Sequence, residues 1–258
     1  MSHLPEQFFS QLLLSDLSCK IMSTMKSIVL SLGGSVLVPT LEENRIEQYA
    51  TVLRSLSEEY RVFVVVGGGG EARRYISCVR ALGVNEGTSD ELGIQVTRMN
   101  ASMLCWALGD VAYPGIPENY QEALRYGESG KVVVMGGVTP AQTTDAVSAV
   151  LAEMAGADLL VNATAIDGIY SADPKTDPGA TKFDHLTADE LIDIINDGRM
   201  NAGANNIIDL VAAKVLQRSG IPMAVLDGRD PRHIDAFLRE GTMLGTLVAP
   251  TDGLPQMD

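Results

Sequence analysis

Three apolar runs of strand length each end in bare glycine: SIVLSLGGS (27 to 35), VFVVVGGGG (62 to 70) and KVVVMGG (131 to 137). Apolar residues at successive positions call for strands covered on both faces, as in a parallel sheet between helices. Glycine directly after a strand lets the main chain approach a neighbouring group closely, because no Cβ intervenes. In open α/β sheets ligands gather at the carboxyl ends of strands, so the glycines predict where the site lies. Helices that follow such strands add free N–H groups and the positive ends of their dipoles, which suit phosphate.

Two more runs, DLLVNA (158 to 163) and MAVLD (223 to 227), read as further core strands. Apolar residues recur near a 3.6 period in segments near 42 to 58, 70 to 82, 90 to 107, 144 to 155 and 205 to 219, which predicts helices there. Strands alternating with helices define the expected fold class: α/β, with an open, mostly parallel twisted sheet sandwiched between helices. No linker, low-complexity tract or internal repeat divides the chain, so one domain is expected over 25 to 258. Residues 1 to 24 stand apart. Their apolar patch FFSQLLL is far shorter than the roughly 20 residues a membrane span needs, and MKSIVLSLGGS at Met25 reads as a domain's beginning. They are expected to be a disordered extension or the product of an upstream start codon.

Charge and composition narrow the function. A formal charge of −14 with no basic stripe argues against nucleic-acid binding. Cys19, Cys78 and Cys105 show no close spacing, and His3, His185 and His233 lie far apart, so neither a disulfide framework nor a protein metal site is expected. A reducing cytoplasm is the expected setting. No GxGxxG follows a strand and no GxxxxGK[ST] is present, so the phosphate site is of another kind.

GGSVL, VVVGGGGEARRYI, DELGIQVTRMNA, VVVMGGVTPAQTTDA and ATAIDGIYSADP, in this order over nearly all of Met25 to Pro250, resemble the amino acid kinase family and, within it, the archaeal UMP kinases. The resemblance implies an α/β/α sandwich and a homohexamer. It further implies transfer of a phosphoryl group from ATP to UMP, giving UDP, with Mg²⁺ held mainly by the nucleotide phosphates. An acceptor lobe would span roughly 25 to 150 and an ATP lobe roughly 151 to 250.

The residues also carry a reading of their own. Arg73, a turn beyond the tetraglycine, either reaches a phosphate held by the loop or lies solvated on a helix. The resemblance assigns Gly68 to UMP, Gly69 and Arg73 to ATP, and Ser31, Leu32, Gly33, Gly34 and Ser35 to ATP, with Arg73, Gly34 and Ser35 closest to the transfer. Asp90 opens DELGIQVTRMNA, where it caps a helix or accepts from a ribose hydroxyl; the resemblance favours UMP. The stretch from Gly137 through Val138, Thr139, Pro140, Ala141 and Gln142 to Thr143 offers backbone amides and small polar groups around a proline-stiffened turn, and the resemblance makes it the acceptor loop. Thr143 and Thr144 begin a helix with Asp145 in its first turn, and for Asp145 a helix-end role and a catalytic one both stand. Tyr170 is a packing residue or a flat ring for adenine. By resemblance Thr164, Tyr170 and Asp173 meet ATP.

One departure concerns lysine. Many family members carry one at the end of the first strand, where this chain has Ser31, and Asn205 and Asn206 stand where a second would sit, with Lys214 two turns further on. No catalytic lysine is therefore named, and the demand for positive charge falls on Arg73, magnesium and the loop amides. No general base is needed, because a phosphate acceptor is already ionised near neutral pH. The alternatives are another small-molecule kinase of the family, acting on a carboxylate, carbamate or isoprenoid phosphate, and a non-catalytic nucleotide-binding assembly.

Overall fold

The structure, a computed structural model, describes residues 25–197 and 208–250. In chain order its elements are β1 (Ser27–Leu32), α1 (Gly34–Leu37), α2 (Ile46–Leu56), β2 (Arg61–Val66), α3 (Gly69–Ala81), α4 (Glu86–Leu108), α5 (Tyr120–Gly127), β3 (Val133–Met135) and α6 (Thr144–Ala155). There follow β4 (Leu159–Thr164), β5 (His185–Leu186), α7 (Ala188–Asn196), α8 (Leu210–Ser219), β6 (Met223–Asp227), α9 (Arg232–Glu240) and β7 (Gly245–Val248). The expected segment 1 to 24 and the positions Asn205 and Asn206 lie outside the described residues.

The strands form one seven-stranded sheet in the order β3-β2-β1-β4-β6-β7-β5, parallel except where β7 runs against β6. Alternation along the strands sorts the core into two layers. Ile28, Leu30 and Leu32 of β1 face Tyr49 and Leu53 of α2, Leu104 of α4 and Ile234 of α9. Val29 of β1, with Phe63 and Val65 of β2, faces Val147 and Leu151 of α6, Leu191 of α7 and Val215 of α8. Both faces are covered, which is why successive strand residues are apolar. The pattern breaks toward the carboxyl ends of the central strands, where Ser31 and Asn162 occupy second-layer positions as register partners.

The five expected core strands are all present, although β3 begins at Val133, two residues later than expected, and Val132 makes an isolated parallel bridge to Ala112. The helix expected near 90 to 107 begins earlier, at Glu86, because the Asn85 side chain accepts from the Thr88 N–H and caps it. Four helices and two strands escaped the periodicity argument. Of these, α7 does carry a local signal: Thr187 and Glu190 form a capping box, each side chain bonded to the other's backbone N–H. The strands β5 and β7, two and four residues long, are too short for a period and exist through pairing with each other and with β6.

Candidate active site

Because β3, β2, β1 and β4 are parallel neighbours, their carboxyl ends share one edge. A cleft of about 710 Å³ opens there. It is lined by Gly33, Gly34 and Ser35 after β1, by Gly67, Gly68, Gly69 and Arg73 after β2, and by Asp90 and Thr97 of α4. Gly137, Thr139, Ala141, Gln142, Thr143 and Asp145 line it after β3, and Asn162, Thr164, Tyr170, Asp173 and Lys175 complete it from β4 onward. Four of the expected site residues are not in this lining. Ser31 and Leu32 are buried strand residues, Val138 packs against the second core layer, and Pro140 turns the chain beside the cleft.

The glycines have a reason that precedes any ligand. A Cβ on Gly34 would lie 2.0 Å from the Gly69 nitrogen, and one on Gly67 would lie 2.4 Å from the Gly34 nitrogen. Gly69 is left-handed, with φ at 69°, and its Cβ would lie 2.3 Å from the Val38 carbonyl oxygen. The loops after β1 and β2 therefore meet main chain on main chain, and only glycine fits between them. Both loops open helices without a side-chain cap: neither Gly33 before α1 nor Gly68 before α3 supplies one. Asn85, Thr143 and Asp209 cap α4, α6 and α8. The two N-termini at the glycine loops thus present main-chain donors where an anion would sit.

The acceptor loop differs from its expected form. Asp90 does not open α4 but lies in its second turn, where Asp90 Oδ2 accepts the Ala141 N–H at 2.8 Å. Ala141 is the one non-glycine residue with positive φ among those described, at 63°. Asp90 thus clasps a strained turn 51 residues away. Several amides expected to face a substrate are already engaged. The Gly137 N–H donates to Thr97 Oγ1 at 2.7 Å and the Gln142 N–H to the Thr139 carbonyl at 3.3 Å. Thr139 and Gln142 add side chains to the loop's share of the lining, whereas the Thr143 hydroxyl is held by Asp209 and the Ala146 N–H.

On the other side, Tyr170 partly lines the cleft while its hydroxyl donates to Asp167 Oδ1 at 2.9 Å. That bond is the largest influence raising the Tyr170 pKa, and it holds the phenol neutral and oriented. Asp173 Oδ1 accepts the Lys175 N–H at 2.9 Å, so the carboxylate shapes its own turn. Lys175 was not foreseen. It is exposed, lines the cleft and, like Arg73, has no ion-pair partner among the described residues. Its position two residues beyond Asp173 gave no periodic signal; only the turn that Asp173 organises brings it in.

Beside these lies a polar pit in the second core layer. Ser31, 1% exposed, donates through Oγ to Asp145 Oδ1 at 2.9 Å. Asp145 keeps some surface toward the cleft, but burial of its carboxyl, the largest influence, raises its pKa to about 6; nearby Asp209 adds to this and the Ser31 hydroxyl opposes it. Thr143 Oγ1 donates to Asp209 Oδ2 at 2.7 Å and accepts the Ala146 N–H as the α6 cap. Asn162, the register partner of Ser31, is 3% exposed and borders the cleft.

Glycine loops meeting at parallel strand ends, uncapped helix N-termini and two cations without an ion-pair partner among the described residues, all in one cleft, describe an α/β domain suited to phosphate-bearing small molecules. The chain belongs to the amino acid kinase family, whose model matches residues 26–227. A protein named uridylate kinase from Methanoculleus marisnigri is 60% identical over 231 residues, which are 90% of this chain and 99% of that protein. Another of that name from Haloquadratum walsbyi is 46% identical, over 88% of this chain and 94% of that one. The crystal structure of the Archaeoglobus fulgidus uridylate kinase superposes with a TM-score of 0.78 at 43% identity, covering 87% of this chain and all of that one. A Bacillus anthracis UMP kinase shares the fold, with a TM-score of 0.72 at 21% identity.

Proposed function

We propose that this chain is a UMP kinase, which moves the γ-phosphoryl group of ATP reversibly to the phosphate of UMP and yields UDP and ADP for pyrimidine nucleotide (UTP and CTP) synthesis. The observation that carries this reading is the single cleft shared by the loop Gly137 to Thr143 and the segment Thr164 to Lys175, since a transfer between two nucleotides needs both in reach of one point. The names of relatives up to 60% identical agree with it.

UMP lies along Gly68, Asp90 and Thr139 to Thr143, in an acceptor lobe of roughly 25 to 150. Asp90 serves it through the turn it clasps, and Thr139 and Gln142 offer side-chain donors and acceptors. ATP lies against Thr164, Tyr170 and Asp173, its phosphates toward Gly33, Gly34, Ser35 and Gly69. Arg73 and Lys175 supply the fixed positive charge, so Lys175 fills from another loop the need left by Ser31 in β1. Magnesium fits the lining as part of the nucleotide complex. Its hard oxygen donors, the Ser35 and Thr164 hydroxyls and the Asp90, Asp145 and Asp173 carboxylates, come from five different segments, so the phosphates would hold the ion and these residues would meet it. When bound, magnesium neutralises phosphate charge. No side chain need take a proton, because the UMP phosphate oxygen is ionised near pH 7.

A cytoplasmic homohexamer completes the reading. No helix among the described residues is long and apolar enough to cross a membrane. Met99 and Trp106, 63% and 76% exposed and two turns apart on α4, form an apolar strip suited to a second copy of the chain.

UDP formation dependent on ATP and Mg²⁺ tests the reaction, with UMP compared against CMP, acetylglutamate, carbamate and isopentenyl phosphate. A strong preference for UMP is expected. Preference for another acceptor, or ATP binding with no transfer to any of them, would sink the proposal.

A further inference from the structure

Asn162 is a largely buried residue whose amide keeps its open surface at the cleft. It is 3% exposed, and among the described residues its side chain has no hydrogen-bond partner. Asn100 is buried to the same degree, yet its Nδ2 donates to the Gly67 and Gly68 carbonyls at 3.0 and 3.2 Å, as a structural asparagine should. The Asn162 amide is not sealed in the core, so its unused donors and acceptor are open to whatever occupies the cleft. Asn162 does border the cleft.

Its position narrows what it would meet. The parallel register pairs it with Ser31, whose hydroxyl is committed to Asp145 in the first turn of the helix that follows the acceptor loop. Two residues on, Thr164 lines the cleft, and between them the Ala163 carbonyl accepts the Gly33 N–H at 3.0 Å. Asn162 therefore stands where the end of the acceptor loop, the first glycine loop and the Thr164 segment converge.

We propose that Asn162 is a further catalytic residue, whose amide N–H groups donate to the phosphoryl oxygens during transfer. This rests on the kinase reading above. In the step, an oxygen of the UMP phosphate forms the new bond to the γ-phosphorus. The bond to the β–γ bridging oxygen breaks, its electron pair leaves with ADP, and Asn162 carries no proton. Its contribution is a preorganised donor, worth most as charge moves between the nucleotides.

The test uses the full chain and three variants, Asn162→Ala, Asn162→Ser and Asn162→Asp, with kcat, the KM for each substrate and the Tm of the ligand-free protein. Asn162→Ala should lower kcat roughly 10²-fold with both KM values nearly unchanged, while the Tm stays level because the amide makes no hydrogen bond within the described residues. Asn162→Ser, which keeps one donor, should fall between, and Asn162→Asp, which replaces donors by negative charge, should be slowest. An unchanged kcat in a folded Ala or Ser variant overturns the inference, as does a lowered Tm that tracks the loss of activity through both, which marks a structural asparagine. Wild-type protein that makes no UDP defeats the kinase reading itself, and the inference with it.

Discussion

Ser31 Oγ donates to Asp145 Oδ1 across 2.9 Å, tying β1 to the first turn of α6 inside the second core layer. The pair puts a carboxylate where burial opposes its charge, with a pKa raised from 3.8 to about 6. Between those values the folded chain keeps a proton that the unfolded chain has released, so this group's contribution to stability falls as pH rises through the interval and levels off above it. Asp145→Asn should remove that slope. The Tm of wild type minus that of the variant, followed from about pH 4 to about pH 8, should decline up to about pH 6 and then stay flat. A constant difference would show that Asp145 titrates as an ordinary exposed carboxylate.

Arg73 and Lys175 are exposed and unpaired among the described residues, so neither supports the fold. Arg73→Ala should lower kcat/KM roughly 10²-fold, and Lys175→Met roughly tenfold, each with an unchanged Tm. Wild-type rates in either variant would remove that residue from the mechanism.

Asp90 holds Ala141 in a left-handed turn, and the two are separable by mutation. Asp90→Ala should speed hydrogen exchange of the Ala141 amide and raise the KM for UMP more than that for ATP. Ala141→Gly should relieve about 1 kcal/mol of backbone strain, seen as a higher denaturation midpoint. If Asp90→Ala changes the KM for UMP without changing that exchange, Asp90 meets the nucleotide directly and its clasp is incidental.

Gly34 lies against Gly69 with no room for a methyl group. Gly34→Ala should cost about 3 kcal/mol or more and lower the Tm by roughly 6–12 °C, because both neighbours are main chain and cannot swing aside. Gly83→Ala is a useful comparison: nothing stands within 4 Å there, although φ is 80°, so its cost is backbone strain alone.

Much of the architecture was legible because it is local. Successive apolar residues in SIVLSL and VFVVV announce strands covered on both faces, glycines mark their ends, and ATAIDGIYSADP carries the turn that holds Tyr170 and Asp173. The edge strands β5 and β7 were not legible, since two and four residues carry no period and owe their conformation to the strands they pair with.

The sequence by itself determined the α/β class, the strand ends where the site lies and most residues that line the cleft, because strand patterning and glycine act within a few positions of the chain. Tertiary structure alone decided what those residues do to one another. It made Asp90, expected to cap a helix or to meet UMP, the clasp of a turn 51 residues away. It used glycines first to let two loops touch, brought Lys175 into the cleft, and set Asn162 beside Ser31 across the strand pair. Such relations depend on distances between segments far apart in the chain, which packing fixes and no local pattern encodes.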